Sequence, residues 1–151
     1  PHHSMQSLFS ATTLQNILQR IERLAPDTKA QWGKMTVAQM LAHAAIPIEG
    51  ALGERKIPGK GSFLLKLFFK SVLYSDKPYG KSSPTNKHFI VSGDKDFETE
   101  KENLLSAIDR AYKRGANGNW GIHPTFGKLT NEQWGQSFYK HLDHHLKQFG
   151  N

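Results

Sequence analysis

Residues 130–150 read TNEQWGQSFYKHLDHHLKQFG and predict a long amphipathic helix. Thr130 and Gln133 have the spacing of a capping box, which satisfies free N–H groups at the start of a helix. Apolar or aromatic side chains then recur every three or four residues, the spacing of one helix face. These positions are Trp134, Phe138, His141, His145 and Phe149. We therefore expect His141 and His145 to face the protein core.

Two further helices are predicted from the same periodicity. An apolar stripe runs from Leu14 to Leu24, and Thr12 with Gln15 forms a candidate capping box at its start. Another helix is expected from about Asp96 to Arg114, with most of its acidic residues in the early turns. Arg110, Lys113 and Arg114 lie at its end, as the helix dipole favours. Gly115 is the candidate C-cap.

A fourth helix is predicted to begin at Thr36, with Gln39 as its capping-box partner. Pro47 has no N–H to bond the preceding turn, so we expect this helix to be kinked or to end there. More than 40 residues then separate it from the helix that begins near Asp96. The expected fold is therefore all-α, a four-helix bundle with a long insertion between helices two and three.

The composition agrees with one globular domain. The chain has 151 residues, of which 37% are hydrophobic, and it contains no cysteine, which excludes thiolate ligands and disulfides. Residues 1–4 resemble an expression-tag remnant, which leaves residues 5–151 as the domain. No apolar run approaches the roughly 20 residues of a membrane-spanning helix. No signal peptide follows residue 4, so a cytoplasmic protein is expected.

The insertion is basic and partly apolar. Residues 55–88 contain eight basic residues and one acidic residue, a difference of +7 that equals the formal charge of the whole chain. Such a segment attracts anions, although a solvated lysine-rich connection would have the same composition. Residues 63–74, FLLKLFFKSVLY, predict a short helix that packs on the bundle or binds a partner or membrane surface. The sequence contains no pattern typical of nucleic-acid recognition, and we do not expect the protein to bind nucleic acid.

Three histidines are candidate metal ligands. His141 and His145 are one helical turn apart, so their imidazole nitrogens can converge on one ion. His43 lies at the edge of the apolar stripe of helix two and could complete the set if the two helices face each other. The alternative is that each imidazole is a hydrogen-bonded core residue without metal.

Three segments resemble the DinB-like superfamily of metalloenzymes. They are residues 32–43 (WGKMTVAQMLAH), 123–127 (HPTFG) and 141–150 (HLDHHLKQFG). The similarity is greatest to the branch that has a His-Pro-x-Phe-Gly segment before a terminal His-x-x-x-His. The resemblance implies an up-down-down-up bundle with a long crossover between helices two and three. It also implies a divalent ion, zinc or nickel above all, bound by His43, His141 and His145.

Four other polar residues are candidates for the surroundings of such an ion. His123 precedes a proline in a loop and could reach the site as a fourth ligand, a proton carrier or a substrate contact, or it could simply stabilise its own turn. His144 is an alternative ligand on a neighbouring helical row. Gln39 and Gln148 could hold the ligands through hydrogen bonds, or lie on a solvated face. No residue is assigned as the general base, and the catalytic residues stay open.

Two functions follow from the sequence. The first is a metal-dependent enzyme acting on a small, possibly anionic substrate, since the ion lowers the pKa of a bound nucleophile. The resemblance implies a thiol-dependent transferase with a low-molecular-weight thiol cosubstrate, and a small-molecule hydrolase would suit the same site. The second function is a non-catalytic helical module that binds an anionic ligand, a partner or a membrane surface through residues 55–88. A homodimer is compatible with either function.

Overall fold

The computed structural model describes residues 6–58, 70–79 and 87–151. Within these ranges lie four α-helices: α1 (Ala11–Glu22), α2 (Val37–Leu52), α3 (Phe97–Arg114) and α4 (Asn131–Gln148). Two short 3-10 helices, Lys70–Leu73 and Lys87–Phe89, lie in the insertion between α2 and α3. No strand occurs in the described ranges, where a single antiparallel bridge joins His123 to Gly127. The all-α prediction is confirmed.

Two of the three predicted capping boxes are present. Thr36 caps α2 and Thr130 caps α4. In each box, the side chain of the glutamine three residues later accepts a hydrogen bond from the backbone N–H of the threonine. The box predicted at Thr12 is wrong, because α1 begins at Ala11 and Thr12 lies inside its first turn. The N-cap of α1 is Ser10, whose side chain makes no capping hydrogen bond. Spacing alone did not distinguish a cap from an interior threonine.

Pro47 does not end α2. The helix continues to Leu52 and ends at Gly53, whose backbone has φ 83°. The residues after the proline include the buried Ile48, Ala51 and Leu52. Burial of an aliphatic side chain is worth about 1.5–3 kcal/mol, which offsets the single backbone hydrogen bond that proline cannot make.

Helices α1 and α4 run in the same direction. Near their N-terminal ends, the backbone N–H of Leu8 donates to the carbonyl of Gly135 over 3.0 Å. Near their C-terminal ends, Arg20 of α1 forms an ion pair of 2.9 Å with Asp143 of α4. Contacts at both ends therefore make this pair parallel.

Helices α2 and α3 also run parallel to each other, and opposite to α4. At the start of α2, Gln39 donates to the carbonyl of Gly93, just before α3, and at the far end Arg114 donates to the carbonyl of Leu52. The segment that precedes α2 contacts the end of α4, where Gln148 donates to the carbonyl of Trp32. The order is up-down-down-up.

The described parts of the insertion lie against the bundle. Lys70 donates to the carbonyl of Lys128 over 2.6 Å, and Lys140 of α4 donates to the carbonyl of Val72. Most of the helix predicted for residues 63–74 lies outside the described residues, and its end, Lys70–Leu73, is a 3-10 helix. Of the basic residues in the segment 55–88, Lys60, Lys66 and Lys81 also lie outside the described residues.

One hydrophobic core holds the four helices together. Its fully buried side chains come from all of them, for example Ile17, Leu41, Ile108 and Leu146. Helices α2 and α3 form the most extensive contact between any two helices, and both bury alanines that permit a close approach. None of the described helices combines the length and apolar character that crossing a bilayer requires.

Candidate metal centre

The rings of His43, His141 and His145 meet between α2 and α4. The Nε2 atom of His43 lies 3.0 Å from Nε2 of His145 and 3.2 Å from Nε2 of His141. One ligand atom from each residue lies within 4.8 Å of the others. Nitrogen ligands of tetrahedral zinc lie about 3.3 Å apart, given bonds of about 2.0–2.1 Å. The cluster therefore has the dimensions of a three-histidine metal site.

The tautomer of His43 is fixed by the insertion. Its Nδ1 lies 2.6 Å from the carbonyl oxygen of Phe89. A carbonyl oxygen can only accept a hydrogen bond, so Nδ1 carries the proton and donates. The neutral ring consequently has its lone pair on Nε2, the atom that faces the other two histidines.

The tautomer of His145 is fixed through Gln148 in the same way. Gln148 Nε2 donates to the carbonyl of Trp32 over 2.9 Å, which turns its Oε1 toward the His145 ring. Nδ1 of His145 donates to this oxygen over 2.8 Å. The Nε2 atom of His145 therefore also presents a lone pair. Metal-binding histidines commonly donate their other ring N–H to such an acceptor.

Two lone pairs thus face each other across 3.0 Å, from His43 Nε2 to His145 Nε2. Neither nitrogen has a proton to share, so this contact is repulsive unless a cation lies between the rings. His141 could donate to only one of them, which would leave the other without a partner in the cluster. This unsatisfied arrangement is the strongest chemical indication that the cluster binds a cation.

Burial keeps the three rings neutral. Desolvation lowers the pKa of His43, although the hydrogen bond to Phe89 opposes the shift. Burial, followed by the proximity of the other histidines, holds the pKa of His141 well below its usual value. Burial lowers the pKa of His145 to about 3, with Gln148 opposing. Since metals bind the deprotonated imidazole, all three ligands are in the competent form near neutral pH.

Gly33 permits the close approach of Gln148. Its backbone has φ 82°, a conformation that residues with a side chain rarely adopt. A Cβ atom added at this position would lie 2.7 Å from Gln148 Nε2. The glycine therefore leaves space for the amide that orients His145.

The cluster opens on a cavity of about 650 Å³. Most of its walls are apolar or aromatic, and they come from α2 and the segment before it, from the insertion, and from α4 and the loop before it. Trp32 and Trp134 contribute to these walls, whereas Trp120 packs against the core. A volume of this size is typical of sites for small molecules.

His123 lines the cavity but is committed to its own turn. Its Nδ1 accepts hydrogen bonds from the backbone N–H groups of Thr125 and Phe126, both over 3.1 Å. The ring packs against Phe126 and Trp134, and burial lowers the pKa of His123 to about 4. Of the two interpretations from sequence, the turn-stabilising one describes these contacts.

His144 lies beside the cluster rather than in it. Its ring centroid is 5.0 Å from that of His145, and it makes edge contacts with Trp32 and Tyr79. All four residues line the cavity. The structure thus brings His144 to the cavity wall.

Gln39 lies away from the ligands. Its Oε1 accepts from the backbone N–H of Thr36, and its Nε2 donates to the carbonyl of Gly93. Both ends of the amide are therefore used to start α2 and to hold the end of the insertion. Gln148, in contrast, makes a direct hydrogen bond to His145, one of the three candidate metal ligands.

Sequence reasoning missed two groups of the site, the carbonyls of Phe89 and Trp32. Every residue has a backbone carbonyl, so no side-chain pattern distinguishes these two. Phe89 lies 46 positions from His43, and Trp32 lies 116 positions from Gln148. Only the folded chain brings these partners together.

A family model described as "Protein of unknown function (DUF1569)" matches residues 3–151. No curated protein and no solved structure matches this chain.

Proposed function

This chain belongs to the DUF1569 family, and we propose that it is a divalent-metal-dependent enzyme with His43, His141 and His145 as the ligands. The observation that carries the proposal is that the Nε2 atoms of His43 and His145, each with a lone pair directed at the other, lie 3.0 Å apart. A bound cation turns their repulsion into coordination, and the Phe89 and Gln148 contacts already hold both rings in the required tautomer.

Zinc or nickel suits this site best. Three neutral imidazoles are ligands that both ions accept, and the described lining of the cavity adds no carboxylate that would favour magnesium or calcium. Three protein ligands leave a coordination position free, as catalytic zinc sites require. That position would face the cavity and could be taken by water or by a substrate atom.

When bound, the ion supplies a Lewis acid that lowers the pKa of a coordinated water or thiol. The protein residues position the reactants: Gln148 orients His145, Phe89 orients His43, and the cavity walls hold the substrate. His144 lies on the wall next to the ligands, where it can contact a bound molecule.

The reaction class rests on the resemblance to the DinB-like superfamily. The up-down-down-up order and the crossover between α2 and α3 support that resemblance. We propose a thiol-dependent transferase with a low-molecular-weight thiol cosubstrate, and a small-molecule hydrolase as the second reaction for the same centre. The alternative of a non-catalytic module that binds through residues 55–88 predicts binding to anionic vesicles that survives substitution of all three histidines.

Metal analysis of protein lacking residues 1–4 tests the proposal, since His2 and His3 could bind metal themselves. We expect one equivalent of zinc or nickel per chain. His145→Ala should weaken zinc binding more than a hundredfold, beyond the 10- to 100-fold typical of losing a residue that only supports a ligand.

His144→Ala is the matched control, one position earlier on α4, and should keep zinc affinity within threefold or so of the unmodified chain, because it does not belong to the cluster. Absence of stoichiometric metal, or equal zinc affinity in both variants, would contradict the proposed function.

A further inference from the structure

Much of the wall of the cavity is formed by apolar side chains. Pro47 and Ile48 of α2, Leu73 and Phe89 of the insertion, and Phe138 and Leu142 of α4 all line it. These side chains offer dispersion contacts and no hydrogen bonds. Displacing water from such walls is favourable only for a ligand with a substantial apolar body.

The mouth of the cavity is apolar as well. In the described part of the chain, the exposed large hydrophobic side chains are Ile90, with 63% of its surface exposed, and Ile122, with 76%. Both line this cavity, although they lie 32 positions apart in sequence (122 − 90). Exposed apolar side chains scattered singly need no explanation, but both of these line the same cavity, where they can contact the apolar part of a ligand.

The charge of the proposed metal centre indicates which chemical group of the ligand would bind there. The described lining contains no aspartate or glutamate, and Lys34 is its one lysine or arginine. A dication held by three neutral imidazoles would therefore keep its full charge in an apolar cavity. Such a charge is costly unless an anion compensates it. The described lining provides no anion, so an anionic group of the ligand at the open position would compensate this charge.

From these observations we propose that the substrate is an amphiphile with an apolar body and a single anionic head that binds the metal. This inference rests on the proposed metal centre for the head, whereas the apolar walls and mouth act on the body independently. The head is a carboxylate or a thiolate, which are both anionic donors suited to the open position.

Calorimetric titration of the zinc-loaded protein with octanoate, acetate and octylamine tests both ends of the ligand. Each buried methylene contributes about fourfold in affinity, so octanoate should bind at least about thirtyfold more tightly than acetate. Octylamine has the same body and a cationic head, and it should bind more weakly than octanoate. Octane-1-thiol as a fourth probe distinguishes a sulfur head from an oxygen head by which of the two anions binds more tightly.

The double variant Ile90→Asn and Ile122→Asn tests the mouth. Both side chains are exposed, so their replacement should not affect folding. Octanoate affinity should fall about four- to sixteenfold, as expected for the loss of one to two methylene contacts, while zinc affinity is unchanged. Ala116→Asn, at an exposed position outside the cavity lining, is the matched control and should change neither affinity.

The outcomes separate the two proposals. If zinc binds but octanoate binds no more tightly than acetate, or octylamine matches octanoate, the amphiphile is excluded and the metal centre stands. If zinc fails to bind, the proposed function fails, and tighter binding of octanoate than acetate to the metal-free protein would still support the apolar part. If the isoleucine variants alter the oligomeric state and leave octanoate affinity unchanged, the mouth is a protein interface and the inference is wrong.

Discussion

On one side of α4, His141 and His145 face His43, and the facing Nε2 atoms of His43 and His145 have no proton to share. On another side of the same helical turns, Asp143 forms ion pairs of 2.9 Å with Arg20 and 3.0 Å with Lys147. The ion-pair side is electrostatically complete within the protein. On the histidine side, the facing nitrogens of His43 and His145 repel each other unless a cation is bound between them.

This difference separates a structural polar cluster from a site. A buried charge that has its counter-charge and its hydrogen bonds stabilises the fold, and removing a partner is costly. A buried cluster of acceptors without donors contributes little to the fold and gains its stabilisation from a ligand. Substitutions on the two sides should therefore affect different properties, stability on one and binding on the other.

The largest expected effect on stability is at the ion pair. In Asp143→Ala, Arg20 loses its ion pair and keeps its neutral partners, which are two backbone carbonyls and the side chains of Asn16 and Tyr139, while its own side chain is 8% exposed. We expect the free energy of unfolding of the metal-free protein to fall by about 1.5–3 kcal/mol, the range for a hydrogen bond to a charged group. Urea denaturation followed by circular dichroism measures it.

Lys147→Ala is the control for this prediction. Its side chain is 65% exposed, so its ion pair with Asp143 should be worth less than about 1 kcal/mol. Zinc affinity should be unchanged in both variants. A large loss of zinc affinity in Asp143→Ala would mean that the two sides of α4 are not independent.

A smaller effect, on binding alone, is expected at Gln148. In Gln148→Leu, the Nδ1–H of His145 loses its acceptor and the ring loses its orientation. Zinc affinity should fall 10- to 100-fold, as is usual when such a supporting contact is removed. Competition titration with a chromophoric chelator measures the change. Gln136→Leu, on the same helix but paired with Glu132, should bind zinc normally.

A histidine outside the cluster should act on the pH dependence of stability. The pKa of His123 is lowered to about 4, below its unfolded value of 6.5, so the folded state resists protonation. Its stabilising effect is complete above pH 6.5 and is lost as the pH falls toward 4, since only the unfolded chain takes up the proton. One group contributes a slope of about 1.4 kcal/mol per pH unit in that window.

His123→Gln keeps an acceptor for the two backbone N–H groups but cannot titrate. The decrease in unfolding free energy between pH 6.5 and 4.5, measured with chelator present, should be smaller in this variant by roughly 1–2 kcal/mol. An identical decrease in both proteins would show that His123 does not remain neutral in the folded state.

The smallest effect is expected at Gln39. In Gln39→Ala, α2 loses the side-chain half of its capping box and the bond to Gly93. Thermal unfolding should indicate a loss of about 0.5–1 kcal/mol, with zinc affinity unchanged. A tenfold loss of zinc affinity would place Gln39 in the support of the ligands after all.

The sequence by itself determined the four helices, because an apolar stripe with a period of 3.6 residues depends only on local spacing. It also determined the two capping boxes at Thr36 and Thr130, which need only a side chain three residues away. Prediction from the sequence failed where local preferences compete with tertiary packing. Thr12 has the spacing of a cap but lies inside α1, and Pro47 is kept within α2 by the buried residues that follow it.

Tertiary structure alone decided the chemical state of the site. The sequence offered His43, His141 and His145 as candidates, but whether their lone pairs converge depends on the packing of α2 against α4. The tautomers depend on backbone carbonyls far away in the chain, at Phe89 and Trp32. A carbonyl is common to all residues and is selected only by position, so these contacts become identifiable once the chain has folded.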